Sequence, residues 1–406
     1  MSHLTSAWPA AAGTLGADAP AAPRAAAGLT AERYEGPEAY QVLKSEWLAL
    51  MAGMGRPAVF QSPDFLSIWA GSFAAGAAAR RLTTIVVRRD DRPVLIWPLS
   101  LERRGAVRLA RGAGAPIGQY DDVVLAPGAD AAAALAGAWT ALTADGGLDL
   151  VRFDRVRGDS PLLPFLAARA EPIGETDFAP YADLPAEGFD AFMAAVKPRV
   201  QRHQRRRARQ LAELGEIAFA VAEDVETATA WLAETIALKR RWLEETGRLS
   251  GAFVDGRTTE CLMALARGLA APGAPLRLLL ARLEVDGQAA ALSAGFVATN
   301  AYHLYIGAFH SDFARFGAGN ILTENVIAWC CEHGLRRYDM LAPQARSKSD
   351  WQTGEVGVQD FAIPLTARGR LYAGLVERRL KPGLRAAFYA LPQPVRSTVA
   401  ARALKL

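Results

Sequence analysis

Residues Tyr302 to Trp351 constrain the fold of this chain more than any other stretch. They read His303-Leu-Tyr-Ile-Gly-Ala-Phe309, then Phe313-Ala-Arg-Phe-Gly-Ala-Gly-Asn320. A helical run follows from Ile321 to His333, then Leu335-Arg-Arg-Tyr-Asp-Met-Leu341 and Lys348-Ser-Asp-Trp351. The pattern is a strand, a glycine turn, a helix and a second strand, which commits the chain to an α/β fold. A glycine-rich turn that opens a helix leaves backbone N–H groups without helical partners beside the positive end of the helix dipole. That arrangement suits a phosphate or pyrophosphate. Glycine also caps helices and closes tight turns for structural reasons alone, so both readings stand here.

The same plan occurs earlier in the chain. Leu82–Val87 and Val94–Leu99 flank the turn Asp90–Pro93 and read as a hairpin. An alanine-rich helix, Ala129–Ala144, ends at Gly146-Gly147 and feeds the strand Leu148–Asp154. In the second half, Leu276–Val285 and Ala289–Ala298 flank Asp286-Gly287, again a hairpin. The helix after the glycine turn ends at Gly334 and feeds Leu335–Asp339. These equivalences predict an α/β protein made by tandem duplication, with two mixed sheets flanked by helices. The expected divisions are a disordered Ala/Pro-rich leader over 1–32, a first domain over 33–180, a second over 181–370 and a basic tail over 371–406. The first copy has no counterpart of Gly317-Ala-Gly319, so a cofactor is expected in the second.

At 406 residues, 51% hydrophobic and 22% charged, the composition is that of a globular protein. No apolar run reaches bilayer-spanning length, and the leader lacks the basic and apolar blocks of a secretory signal. The three cysteines (Cys261, Cys330, Cys331) form no CxxC pair, which fits a reducing compartment. The five histidines (His3, His203, His303, His310, His333) show no metal-binding spacing, so no metal is expected. Net charge is only +4, but it is clustered. Lys197 to Arg209 is a basic helix, and the tail carries Arg378, Arg379, Lys381, Arg385, Arg396, Arg402 and Lys405 among Leu, Phe and Tyr. Nucleic acid, phosphorylated substrate, cyclic dinucleotide and anionic membrane are conceivable partners of the helix; a solvated face is the plain alternative. No helix-turn-helix or interleaved aromatic pattern accompanies the charge, which argues against DNA. The tail would either lie on an anionic membrane or dock on the body of the protein.

Several blocks in order resemble the BioF2-like, CelD/BcsL-type acyltransferases, a branch of the GNAT superfamily related to the FemABX peptidyltransferases. They are Gln61-Ser-Pro-Asp-Phe65, Lys197-x-Arg199 with Arg206-x-x-Arg209-x-Leu211 and Gly215, and Lys239-Arg-Arg-Trp242 with Phe253. Asp286-Gly287 with Ala289-Ala290, Tyr305, and Asp339-Met-Leu341 with Lys348-x-x-Trp351 complete the set. The resemblance covers about Arg33 to Leu371. It implies two GNAT-like halves, an acyl-thioester donor and involvement in bacterial exopolysaccharide modification. GNAT enzymes carry Gln/Arg-x-x-Gly-x-Gly/Ala at the pyrophosphate turn. Here Gly317 and Gly319 match, Ala314 stands at the leading position, and the arginine is displaced to Arg315. The residues Arg315, Gly317, Ala318, Gly319 and Asn320 are therefore the expected acyl-CoA contacts. No heptad run long enough for the FemABX coiled-coil insertion is present, which disfavours charged tRNA as donor.

Acyl transfer to an amine needs a neutral nucleophile and stabilisation of developing negative charge. By resemblance, Lys348 occupies the slot of a charge-stabilising lysine; read alone, it is a lysine in a polar loop. Asp339 ends a core strand, where it would act as a base, orient Lys348 or form a structural ion pair. Tyr305 is a candidate general acid and otherwise packing, and His310 a reserve base. Asp121 and Asp122 are candidate acceptor contacts and otherwise turn formers. Arg205, Arg206 and Arg209 would hold a phosphate of a lipid- or nucleotide-linked sugar. Trp242 and Trp351 are candidate substrate contacts and otherwise core. The expectation is an acetyl-CoA-dependent N-acyltransferase acting on an amino sugar of an exopolysaccharide or its lipid-linked precursor, cytoplasmic and peripheral at the inner membrane face. Its rivals are a FemABX-like aminoacyltransferase using charged tRNA and a regulatory module that binds an anionic ligand such as a cyclic dinucleotide.

Overall fold

The computed structural model describes residues 28–74 and 80–404. Most of the leader expected to be disordered lies outside them, as does Lys405. From Leu29 the chain is already a strand, because Leu29–Glu35 pairs residue for residue with Thr83–Arg89. The chain forms two compact units. The first holds the chain up to Ala70, Ala74–Phe178 and Val356–Gly383; the second holds Gly71–Phe73, Ala179–Glu355 and the chain from Leu384. Among the described residues no helix is long and apolar enough to cross a membrane, and no cluster of three or more His, Cys, Asp or Glu could hold a metal.

In the first unit β1 (Leu29–Glu35), β2 (Arg80–Arg89), β3 (Arg92–Arg104) and β4 (Val107–Gly112) form an antiparallel meander, with short β5 (Val124–Leu125) on β3. The β2–β3 hairpin turns on Asp90 and Asp91, both at positive φ, the conformation that matches strand twist in a two-residue turn. The helix Ala131–Thr143, capped by the Asp130 carboxylate on the Ala133 N–H at 3.0 Å, crosses to β6 (Leu150–Arg157). β6 is parallel to β4, and β13 (Gly354–Pro364, counting along the whole chain) lies antiparallel on β6. Trp97 stacks on Phe153 in the core at 5.8 Å between ring centroids.

The second unit repeats the plan. β8 (Ile217–Val221), β9 (Leu276–Val285), β10 (Gln288–Ala298) and β11 (Ala301–Phe309) are antiparallel neighbours. Asp286 and Gly287, both at positive φ, turn the β9–β10 hairpin. The crossover helix Ala318–Glu332 leads to β12 (Arg337–Asp339), parallel to β11, and the last residues of β7 (Glu171–Asp183) lie antiparallel on β12. Each unit is thus a meander, a helical crossover, one parallel pair and an antiparallel closing strand. This is the tandem α/β arrangement that the repeated sequence pattern implied. Helix Val225–Thr246 starts at Asp224, which accepts the Thr227 N–H at 2.7 Å, and ends at left-handed Gly247.

In both units the parallel pair is short. In the first it covers only Leu109↔Leu150 and Ala110↔Val151. Just beyond, Arg111 pairs with Asp154 across the two strands, and Arg152 binds Asp154, Asp360 and buried Glu377. Asp121 lies buried against this network and accepts the N–H groups of Asp154 (2.8 Å) and Gly112 (3.3 Å). Gly112 is obligatory, since a Cβ there would lie 2.1 Å from Asp121 Oδ1. Asp122 is also buried, bonded to Arg56, to Ser160 Oγ at 2.7 Å and to the Val123 N–H at 2.8 Å.

Burial, then the neighbouring Asp154 charge, raises the Asp121 pKa above the carboxylate range. Burial also opposes charge on Asp154, but Arg111 and Arg152 outweigh it and hold that carboxyl low. A carboxyl raised in the folded state holds its proton more tightly there than in the unfolded chain. Its contribution to stability is complete at acid pH and is lost as pH rises through the raised value. The urea midpoint should therefore fall between about pH 4 and about pH 7, and Asp121→Asn should flatten that fall. An equally steep fall in the variant would refute the assignment.

Candidate active site

The β11–β12 ladder has three pairs, Ala301↔Arg337, Tyr302↔Tyr338 and His303↔Asp339, after which the strands part. The two tyrosine rings stack at 5.1 Å, and Tyr302 lies across Gly295, where any Cβ would sit 2.2 Å from the ring. Beyond the last pair a cavity of about 480 Å³ opens within the second unit. Leu304, Gly307 and Phe309 line it from β11, Tyr338 from β12, and Met340, Lys348 and Trp351 from the following loop.

The glycine turn forms one wall. Gly317, at φ +70°, caps the crossover helix, with its carbonyl accepting from Asn320 (2.9 Å) and Ile321 (3.2 Å). Gly317, Ala318, Gly319 and Asn320 all face the cavity. The first N–H groups of the helix start here. Across them lies Arg207, from the basic helix Pro198–Ala212, which also lines the cavity. A Cβ on Gly317 would stand 2.8 Å from the Arg207 side chain, so the guanidinium rests directly on the turn. Gln204, buried on the same helix, accepts from Arg207 at 2.9 Å and fixes its direction.

The opposite wall is a loop folded on Lys348. The Lys348 ammonium donates to the carbonyls of Leu341 and Pro343, both at 2.7 Å. Asp339, buried, accepts the Leu341 N–H at 2.8 Å and has His303 Nδ1 4.0 Å away. Trp351 is buried in the cavity wall. From helix Val225–Thr246, Lys239 also lines the cavity, with its amine 4.4 Å over the Trp242 ring and Arg248 on the same ring at 5.1 Å. Burial, then the Arg248 charge, lowers the Lys239 pKa.

The structure therefore gathers Gly317, Ala318, Gly319, Asn320, Lys348 and Trp351 around one cavity. Asp339 stands behind the loop, and Trp242 supports Lys239. Tyr305 packs edge-on against Phe296 at 5.3 Å, and His310 caps the short helical turn that begins at Ser311. Arg315 is exposed over Phe316, and Arg205, Arg206 and Arg209 are exposed on the basic helix. Asp121 and Asp122 lie in the first unit, in the buried network described above. The cavity also contains Arg207 and Lys239, which pattern reading passed over. Both had a signal. Arg207 falls on the stripe of buried Val200, Gln204 and Leu211, and Lys239 on that of Thr235, Ile236 and Leu243. A lone cation on an inward helical stripe either pairs or faces a cavity.

A meander, a crossover helix whose glycine turn faces the gap between two parting parallel strands, and a lining of basic residues define an acyltransferase architecture. Residues 198–351, inside the second unit, match the family model of the acetyltransferase (GNAT) domain, which marks that unit as an acyltransferase, and the fold is the tandem α/β arrangement described above. Among solved structures, the chain is similar to FemX at 13% identity, over 82% of this chain and 98% of that one, with a TM-score of 0.57. It is also similar to the C-terminal domain of an Agrobacterium fabrum protein named for lysylphosphatidylglycerol synthetase, at 13% identity over 84% and 96% of the two chains, TM-score 0.51. At these identities the likeness is one of fold. No curated protein sequence matches the chain.

Competitive labelling with an amine-selective reagent across pH should give Lys239 a midpoint below the ordinary lysine value of 10.5, and Arg248→Met should move it upward. A midpoint at or above the ordinary value would contradict the described burial of the amine.

Proposed function

We propose that this protein transfers an acyl group from acyl-CoA, acetyl-CoA first among donors, to the amine of an amino sugar in a bacterial exopolysaccharide or its lipid-linked precursor. The resemblance of its sequence blocks to the CelD/BcsL-type branch implies an acyl-thioester donor and frequent involvement in exopolysaccharide modification, and that supports this reading. The observation that carries the donor is Arg207 lying against the Gly317 turn at the cavity wall. Where the family pattern puts glutamine or arginine at the head of the turn, this chain has Ala314 and an exposed Arg315. A cation from the basic helix reaches the same turn, beside the first N–H groups of a 15-residue helix. A cavity of about 480 Å³ is within the range of small-ligand sites.

An acyl thioester bound there would supply an activated carbonyl to an amine acceptor. Arg207 and the N–H groups of Ala318 and Gly319 would hold its phosphates. Trp351, Met340 and Tyr338 give that space apolar walls that keep water out. Lys348 places a positive charge at the loop wall, held by two carbonyls. Lys239, whose amine gives up its proton more readily than an ordinary lysine, is the group best placed to exchange a proton with an acceptor. The acceptor class rests on the family resemblance.

Calorimetric titration tests the donor. Wild-type protein should bind acetyl-CoA, and Gly319→Trp should abolish binding by filling the cavity beside Phe309, 3.6 Å from the Gly319 Cβ position. Arg207→Ala should weaken acetyl-CoA by about 10- to 100-fold, the worth of a charged phosphate contact, and leave acetyl-pantetheine, which lacks the pyrophosphate, nearly unchanged. No binding of acetyl-CoA to the wild type would refute the donor. Equal weakening of both ligands would refute the role of Arg207 alone.

A further inference from the structure

Most of the exposed large apolar side chains among the described residues fall between Leu371 and Val399, in a part of the chain that the catalytic reading does not use. In the first unit this part is a helix, Ala367–Tyr372, that continues as a π-helix over Ala373–Leu380. Its inner stripe is Gly369, Ala373 and Glu377, four residues apart and all buried. Gly369 is pressed so close that a Cβ would lie 1.8 Å from the Asp149 carbonyl oxygen. Glu377 reaches Arg152, and Thr366 caps the helix while donating to Asp149 at 2.8 Å. The segment is therefore firmly seated.

Its outer side is of a different kind. Leu371, Leu375 and Leu380 are 62%, 48% and 54% exposed. Their spacings of four and then five residues follow the change from an α-helical to a π-helical turn, which keeps them together on one side. Around them stand exposed Arg370 and Arg379, together with Arg378, paired with Glu171, and Lys381, paired with Glu377. The only acidic residue from Ala367 to Gly383 is Glu377, which faces inward. The outer side is thus aliphatic and net positive, Glu171 being the acid that meets it, through Arg378.

We propose that this side rests on an anionic lipid bilayer, the leucines entering the headgroup–acyl boundary and the arginines meeting lipid phosphates. A soluble anionic ligand would leave three leucines in water without use. A second copy of the chain would bring like charges face to face across a two-fold axis. The surface is independent of the acyl-CoA reading and compatible with a lipid-linked acceptor.

Sedimentation of the full chain with phosphatidylcholine vesicles containing phosphatidylglycerol, against pure phosphatidylcholine vesicles, tests it. The wild type should pellet only with the anionic vesicles. Leu375→Glu with Leu380→Glu, and separately Arg370→Glu with Arg379→Glu, should lower the bound fraction by roughly fivefold or more without moving the thermal midpoint. A Leu380→Trp variant should show a blue shift in emission when anionic vesicles are added. Unchanged binding in the leucine variant, or no blue shift, would overturn insertion. Binding to neither vesicle, or a dimer in solution that the leucine variant dissociates, would overturn the lipid partner.

Discussion

The catalytic half depends on a parallel ladder that stops after three residue pairs. A longer β11–β12 ladder would close the gap, and none at all would leave the crossover helix without a base. The ladder is pinned where it exists by two stacked tyrosines seated over Gly295, so its register cannot slip without driving a ring into backbone. Past it, the backbone groups of the departing loop must find other partners. Asp339 takes the Leu341 N–H, and Lys348 serves the carbonyls of Leu341 and Pro343. Lys348, a charge-stabilising candidate by resemblance, and Asp339, a candidate from its place at the strand end, are thus also the residues that bond this loop.

The first unit has the same parting of strands and a different filling. Where the second unit has a cavity, Arg111 and Asp154 bridge the two strands, and Arg152 ties them to Asp360 and Glu377. Removing one member of such a network leaves an uncompensated buried charge, so it is retained as a whole. The second unit thus has an opening where its strands part, and in the first unit ion pairs bridge the corresponding strands. The buried Asp121 lies against that closure, its carboxyl raised first by burial and then by the Asp154 charge, which Arg111 only partly offsets.

Charge on inward helical stripes recurs in both units. Arg207 and Lys239 in the second, and Glu377 in the first, sit where an apolar residue would normally pack. Glu377 meets Arg152, whereas Arg207 and Lys239 face the cavity. The contrast is a physical one: Glu377 finds its counter-charge inside the protein, whereas Arg207 and Lys239 are held in place with their charges turned toward the cavity.

Repetition of hairpin, glycine-ended helix and strand was enough to read the tandem α/β plan from the chain, because side-chain period and turn residues are local properties. The turn Gly317–Asn320 and the pair Lys348 and Trp351 were likewise legible, since a motif of fixed spacing carries its own geometry. Arginines chosen by cluster rather than by helical face, Arg205, Arg206 and Arg209, proved to be the exposed ones, and Arg207 beside them was the inward one. Asp121 and Asp122 looked like turn residues open to a ligand and lie instead in a buried ion network. The sequence by itself determined which elements form and which turn a phosphate would prefer. Only the tertiary structure decided which cation meets that turn and which parting of strands stays open, because both depend on contacts between residues more than a hundred positions apart, Arg207 with Gly317 and Arg152 with Glu377.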